Sequence, residues 1–218
     1  MNITEVELKF KIIDHNIVED FVGKLKFVKA EYIKDIYLDT EDASLYKRGI
    51  FIRVRNETRL EIKFNLRDVL DRDRFSMHEI CSEYSFKLPL SHQDVGALNN
   101  ILKILGLKPI SEPSMLELKD RNNLIDSIVL EKNRRVYTDG KFYYMIDDVK
   151  GLGSFLEMEA KVYNESEISR VKREMLKLAD KLKLKRILTG YNELYWRKHN
   201  YKIYLQGRYL LEEDLDSI

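Results

Sequence analysis

Glu5-Val6-Glu7-Leu8-Lys9-Phe10-Lys11-Ile12 is the stretch on which the reading of this chain turns. Charged and apolar residues alternate strictly. An extended strand therefore sets Glu5, Glu7, Lys9 and Lys11 on one face and Val6, Leu8, Phe10 and Ile12 on the other. Two acids followed by two bases on one face can hold a metal ion together with the polyanion it binds. An isolated strand of this kind ordinarily keeps its charges in water, so the pattern acquires meaning only by recurring.

It recurs. Arg53 and Arg55 alternate with Ile52 and Val54, and Glu61 and Lys63 with Leu60, Ile62 and Phe64. Glu79 and Glu83 share one parity, while Ile80, Tyr84, Phe86 and Leu88 share the other. Lys132 and Arg134 share a face, and Glu157, Glu159 and Lys161 alternate with Leu156, Met158, Ala160 and Val162. Solvated faces usually mix in Ser, Thr, Asn and Gln, but these are almost purely Glu, Lys and Arg. An ordinary sheet packed on helices fits such strands. So does an antiparallel barrel with its apolar side outward under helices, which turns the charges into a central polar channel.

Composition narrows the function classes. With 218 residues and 44% hydrophobic content, the chain can bury a full core as one large domain, or as one with a small appendage. Lys plus Arg (38) nearly cancels Asp plus Glu (37), against the basic surplus of a general nucleic-acid binder. The lone cysteine, Cys81, permits no internal disulfide, and no His close to it suggests a nucleophile pair. No signal-like segment precedes Glu5 and no apolar run reaches membrane-spanning length, so the expectation is a soluble, cytoplasmic protein without membrane or nucleic-acid partners. No phosphate-binding glycine loop, histidine pair or serine elbow occurs; His15, His78, His92 and His199 are scattered.

Local signals give a β-rich order with intervening helices. Strands are expected at 4–13, 35–38, 49–56, 59–65 and 77–88, with 66–75 a charged loop. Helices are expected over 17–25 (capped by Asp14 or Asn16), after Ser91, and after Asn164, with Ser91/Asp94 and Asn164/Glu167 as capping boxes and Gly106 as a C-terminal stop. Residues 115–126 fit a strand or a short helix. Asp139-Gly140 marks a hairpin between 128–137 and 141–149, followed by a strand over 154–163. The aromatics Tyr191, Tyr195, Trp196, Tyr201 and Tyr204 fit the packing of a C-terminal helix better than base stacking.

Glu5-Val6-Glu7-Leu8-Lys9 resembles the ExExK signature that opens the CYTH superfamily, the triphosphate tunnel metalloenzymes that include class IV adenylyl cyclases and thiamine triphosphatases. Tyr37-Leu38-Asp39-Thr40, Leu45-Tyr46-Lys47-Arg48-Gly49, Ile52-Arg53-Val54-Arg55, Glu61-Ile62-Lys63, Lys132-Asn133-Arg134, Asp147, Gly153 to Glu159 and Tyr191-Asn192-Glu193-Leu194 follow in the family's order. The resemblance runs from residue 5 to about residue 195. It implies an α+β fold: an eight-stranded antiparallel β-barrel with a charged interior and helices outside, one domain over 1–218 with an extension from about residue 197.

It further implies a triphosphate-bearing substrate (inorganic triphosphate, thiamine triphosphate or a nucleoside triphosphate) and Mg2+ or Mn2+, with a homodimer permitted. Glu5, Glu7, Glu157, Glu159 and Asp147 are the expected metal ligands, since hard divalent ions take carboxylate oxygens. Lys9, Arg53, Arg55, Lys63, Lys132 and Arg134 are expected to grip the phosphates, and Glu5, Glu7, Lys9 and Glu159 to carry catalysis. The leading expectation is a triphosphate hydrolase; the alternatives are an adenylyl cyclase or a phosphate-binding module without turnover. Three assignments stay open: Lys119-Asp120-Arg121 could replace Lys132-Asn133-Arg134, Arg135 could replace Arg134, and either Glu79 or Glu83 could face inward.

Overall fold

The computed structural model describes residues 4–66, 69 and 82–217. The expectations for His78, Glu79, Cys81, most of the 66–75 loop and the start of the 77–88 strand lie outside the described residues. In chain order the elements are β1 (Thr4–Lys11), α1 (His15–Val22), β2 (Lys26–Asp39), α2 (Ser44–Lys47), β3 (Ile50–Arg55), β4 (Arg59–Phe64) and β5 (Ser82–Lys87). Then come α3 (His92–Ile104), α4 (Met115–Asn122), β6 (Ile125–Thr138), β7 (Tyr143–Val149), β8 (Gly153–Val162) and α5 (Glu165–Lys181). The chain closes with β9 (Lys185–Ile187), α6 (Tyr191–His199), α7 (Tyr201–Tyr204) and a 3-10 turn at Glu212–Ser217. Among the described residues the strands form a nine-stranded antiparallel sheet in the order β5-β4-β3-β2-β6-β7-β8-β1-β9. The α+β class with a charged-faced antiparallel sheet is as the sequence predicts; the additional strand is the three-residue β9.

By their contacts the residues fall into two compact units, one of Met1–Ile33 with Glu131–Leu188, the other of Lys34–Leu130 with Thr189–Ile218. In the first, the apolar parity of β1 is buried: Val6, Leu8, Phe10 and Ile12 are at most 5% exposed. They pack with Leu156, Met158, Ala160 and Val162 of β8, Val18 and Val22 of α1, and Val171, Met175 and Ala179 of α5. Burial of each large apolar side chain here contributes about 1.5–3 kcal/mol. Asp14 caps α1, accepting from the N–H groups of Asn16 and Ile17, and Asn164 caps α5 through Ser166 N–H. The hairpin at Asp139-Gly140 is as expected. Gly140 takes φ +90°, which a residue with a Cβ rarely adopts, while Asp139 Oδ1 accepts from Lys141 and Phe142 N–H.

The second unit has its own core, of Ile50, Ile52, Leu60, Ile62, Phe64 and Phe86 against Leu98, Ile101, Leu102 and Leu105. Ser91 is the N-cap of α3, and Asp94 in the first turn reaches back to it, accepting from both the N–H and the hydroxyl of Ser91. Gly106 ends it at φ +69°, with Leu107 N–H donating to Leu102 O at 2.8 Å. The segment 115–126 resolves into α4 followed by the start of β6. Of the C-terminal aromatics, Tyr191 and Tyr204 are buried, while Tyr201 is exposed on one side. Trp196 lies 5.8 Å from Tyr46, and Asp214 accepts from Arg197, Tyr201 and Tyr204.

The largest difference from the sequence reading is β2. It spans 14 residues where only the last few were legible, because residues 26–31 are exposed or half-exposed on both parities and so carry no alternation to read.

Candidate active site

The register of β1 with β8 places Glu5 opposite Lys161, Glu7 opposite Glu159, and Lys9 opposite Glu157. The β6–β7 register places Arg134 opposite Asp147. Parity therefore assembles, within the first unit, eight of the expected site residues on one face: Glu5, Glu7, Lys9, Lys132, Arg134, Asp147, Glu157 and Glu159. Lys9 Nζ lies 3.0 Å from Glu157 Oε1, and Arg134 donates to Glu157 Oε2. Arg134 also grips Asp147 at two points, Nε to Oδ1 and Nη2 to Oδ2, both at 2.6 Å. Lys132 Nζ reaches Asp147 Oδ2 at 2.6 Å, and Asp147 is fully buried.

These contacts set the protonation states. Burial favours a neutral Glu157, but Lys9, Arg134 and Lys132 outweigh it and hold the carboxyl well below the usual carboxylate range. Lys9 shows the reciprocal effect: burial pulls it down, yet Glu157 and Glu7 push it up to about 12. Lys132 goes the other way. Its burial outweighs Glu157 and Asp147, with Arg134 adding repulsion, so its affinity for a proton is lowered. Glu159 is raised, first by burial and then by the like charges of Glu5 and Glu7. The face thus has an acid-rich end around Glu5, Glu7 and Glu159, and a compensated end around Lys9, Lys132, Arg134, Asp147 and Glu157.

The second unit carries a cluster of its own. Arg55 grips Asp35 at two points (2.7 and 2.8 Å), and Arg53 Nε donates to Glu61 at 2.8 Å. Arg53 Nη1 lies 3.4 Å from Asp35 and donates to Tyr37 Oη at 3.2 Å. Lys63 stands opposite Glu83 in the β4–β5 register and pairs with it at 2.6 Å. Glu83 therefore shares the charged face with Lys63, which resolves its orientation; Glu79 lies outside the described residues. The sequence reading assigned no role to Asp35 or Tyr37, although both alternate with Ile36 and Leu38 and could have been found by the same parity.

The remaining open assignments are also placed. Lys119 and Arg121 sit on α4, paired with Asp126 and Glu117, whereas Lys132 and Arg134 hold the interior positions. Arg135 points to the opposite side of β6, where it pairs with Glu19 of α1. Glu5 is exposed, with Lys161 Nζ at 3.4 Å. Among the described residues no three His, Cys, Asp or Glu side chains converge as a ready-made metal cage.

The donor set nevertheless suits a hard divalent cation. Glu7 faces Glu159 directly, and the proton affinity of Glu159, raised first by burial and then by Glu5 and Glu7, is of the kind a bound cation would lower. Mg2+ in particular keeps several waters and binds through one or two carboxylates plus substrate phosphates, without a closed protein cage.

The CYTH domain profile matches residues 4–189, nearly the whole chain. The chain belongs to the CYTH domain family. Proteins of this family bind triphosphate substrates, act as triphosphatases or adenylyl cyclases, and are in general metal-dependent. A protein of Methanocaldococcus jannaschii named "Putative adenylate cyclase" is 27% identical over 182 residues, 83% of this chain and 90% of that one. Solved structures share the CYTH fold. A Pyrococcus horikoshii protein aligns with a TM-score of 0.56 at 22% identity, over 90% of this chain and 100% of its own. A Hippeastrum protein, described as a putative adenylyl cyclase with a dominant triphosphatase activity, aligns with a TM-score of 0.54 at 16% identity, over 96% and 98%. Among the described residues, no helix is long and apolar enough to cross a membrane.

Proposed function

We propose that this CYTH protein hydrolyses inorganic triphosphate, or a small organic triphosphate, with Mg2+ or Mn2+. The observation that carries the reading is the face of β1 and β8. There the Glu7–Glu159 pair, joined by Glu5, stands next to Lys9, whose partner Glu157 is also held by Arg134 of β6, beside buried Lys132. In this proposal Glu5, Glu7 and Glu159 hold the divalent ion, which when bound neutralises phosphate charge. Lys9, Lys132 and Arg134 bind phosphate oxygens and stabilise the negative charge that collects on the leaving pyrophosphate. Glu157 and Asp147, also expected as metal ligands, are engaged by Lys9, Lys132 and Arg134, and here they fix the positions of those cations. Arg53, Arg55 and Lys63 of the second unit are phosphate-binding residues in the same proposal, on the evidence of their own cluster.

Recognition resting on phosphates rather than on a base favours hydrolysis. Its test is incubation of the pure protein with inorganic triphosphate, ATP and thiamine triphosphate under each metal, with identification of every product. Pyrophosphate and phosphate from triphosphate are the expected outcome. The name of the archaeal relative favours a second reading, adenylyl cyclase activity. Cyclic AMP from ATP, without phosphate release from triphosphate, would establish that reading instead.

A further inference from the structure

We propose that Asp35 is a positioning residue for triphosphate binding, holding Arg53 and Arg55 of its own unit as one preset pair of phosphate-binding forks; this rests on the triphosphate reading above. Asp35 lies on β2 directly opposite Arg55 on β3 and is 4% exposed. Its two oxygens take Nε and Nη2 of Arg55 at 2.7 and 2.8 Å, the planar two-point contact that only a guanidinium makes. Oδ2 also faces Arg53 Nη1 at 3.4 Å, and Glu61 closes the group from the other side, 2.8 Å from Arg53 and 3.4 Å from Arg55.

Two guanidiniums shared between two carboxylates balance in charge, and the further cation at Glu61, Arg59 at 3.6 Å, is more than half exposed and screened by water. Such a group is a poor electrostatic trap for an anion, so its use to a phosphate chain lies in geometry. Each guanidinium carries five N–H donors in a fixed fork, and anchoring some of them aims the rest before a ligand arrives, which removes part of the ordering cost of binding.

The same construction recurs in the first unit. Asp147 stands opposite Arg134, grips it at two points, and takes the cation two positions earlier, Lys132, on its second oxygen. In both places one buried aspartate on the neighbouring strand fixes cations at i and i+2. A shared device at two sets of expected phosphate ligands argues for a role in aiming them.

The test separates positioning from charge. Asp35→Asn keeps the shape but leaves the cluster one unit more positive. A carboxylate that only offsets charge predicts tighter binding of inorganic triphosphate in this variant. Positioning predicts weaker binding, by about tenfold in Kd by calorimetry, with KM rising and kcat near wild type. Asp35→Glu keeps the charge but moves the carboxylate by one methylene, and it should weaken binding similarly. An unchanged or tighter Kd in either folded variant overturns the proposal. If neither folds, Arg55→Lys decides: it keeps the charge, cannot make the two-point contact, and must also weaken binding. Wild-type protein that binds triphosphate without turning it over removes the hydrolase reading, while a weakened Asp35→Asn still supports the positioning role. Normal turnover with an unaffected Asp35→Asn does the reverse, and a wild-type protein that binds no triphosphate overturns both.

Discussion

Glu7 and Glu159 face each other across β1 and β8, and their mutual repulsion adds to burial in raising the proton affinity of Glu159. Glu7→Gln removes one of the like charges, so the Glu159 carboxyl should titrate at lower pH than in the wild type. A carboxylate-specific NMR titration of Glu159 checks this directly. The same variant should lose about a hundredfold or more in rate, with half-activation moving to higher metal concentration; full metal-dependent activity in a folded protein would remove the metal role. By contrast, Arg53→Ala or Lys63→Ala should act on substrate binding, costing on the order of 1.5–3 kcal/mol in KM-derived terms, and extra magnesium should not restore it. Most of these residues were legible in the sequence because strand parity carries a side chain's face without any tertiary information. Parity does not carry the partner. Periodicity alone does not tell that Glu157 is held by Lys9, from a strand about 150 residues away, or that Asp147 and Asp35 each engage two cations, because even across a hairpin as short as β6–β7 the exact register decides which side chains meet.

At the level of elements, legibility followed length and local chemistry. α3 announced both its ends, through Ser91/Asp94 and Gly106, and the β6–β7 hairpin announced itself through Asp139-Gly140. α2 and β9, with four and three residues, are too short to show a period. α2 is set instead by Asp39, which is buried at the end of β2. Its Oδ1 accepts from Thr40 and Leu45 N–H, at 2.7 and 2.9 Å, and its Oδ2 from Tyr46 N–H at 2.9 Å. Asp39→Ala leaves those three donors unmatched, the Leu45 and Tyr46 ones buried, and should destabilise the protein by about 1–3 kcal/mol. A denaturant midpoint that falls with an unchanged m-value would show it; an unchanged midpoint would mean that Asp39 has no capping role.

For the molecule as a whole, pH reaches stability through Glu157. Its folded-state carboxyl is held below the ordinary value by Lys9, Arg134 and Lys132 against burial, so its contribution is fully present above the unfolded value of about 4.3 and is lost as pH falls toward the folded one. Thermal unfolding should therefore lose stability steeply below about pH 4, and Glu157→Gln should flatten that limb while lowering stability at neutral pH. A parallel acid limb in the variant would exclude Glu157 as its source. The two units have a further consequence, for synthesis on the ribosome. β1 emerges well before residues 155–162 of β8, with which it pairs, so its ladder has no partner until about 150 further residues have been made. The second unit likewise waits for residues beyond Thr189. Closure this distant in sequence is slow to form. Nascent chains stopped at about residue 150 should leave β1 open to protease, and chains extended past Val162 should shield it. A chaperone that shelters Val6, Leu8 and Phe10 during that interval would raise the yield of native protein.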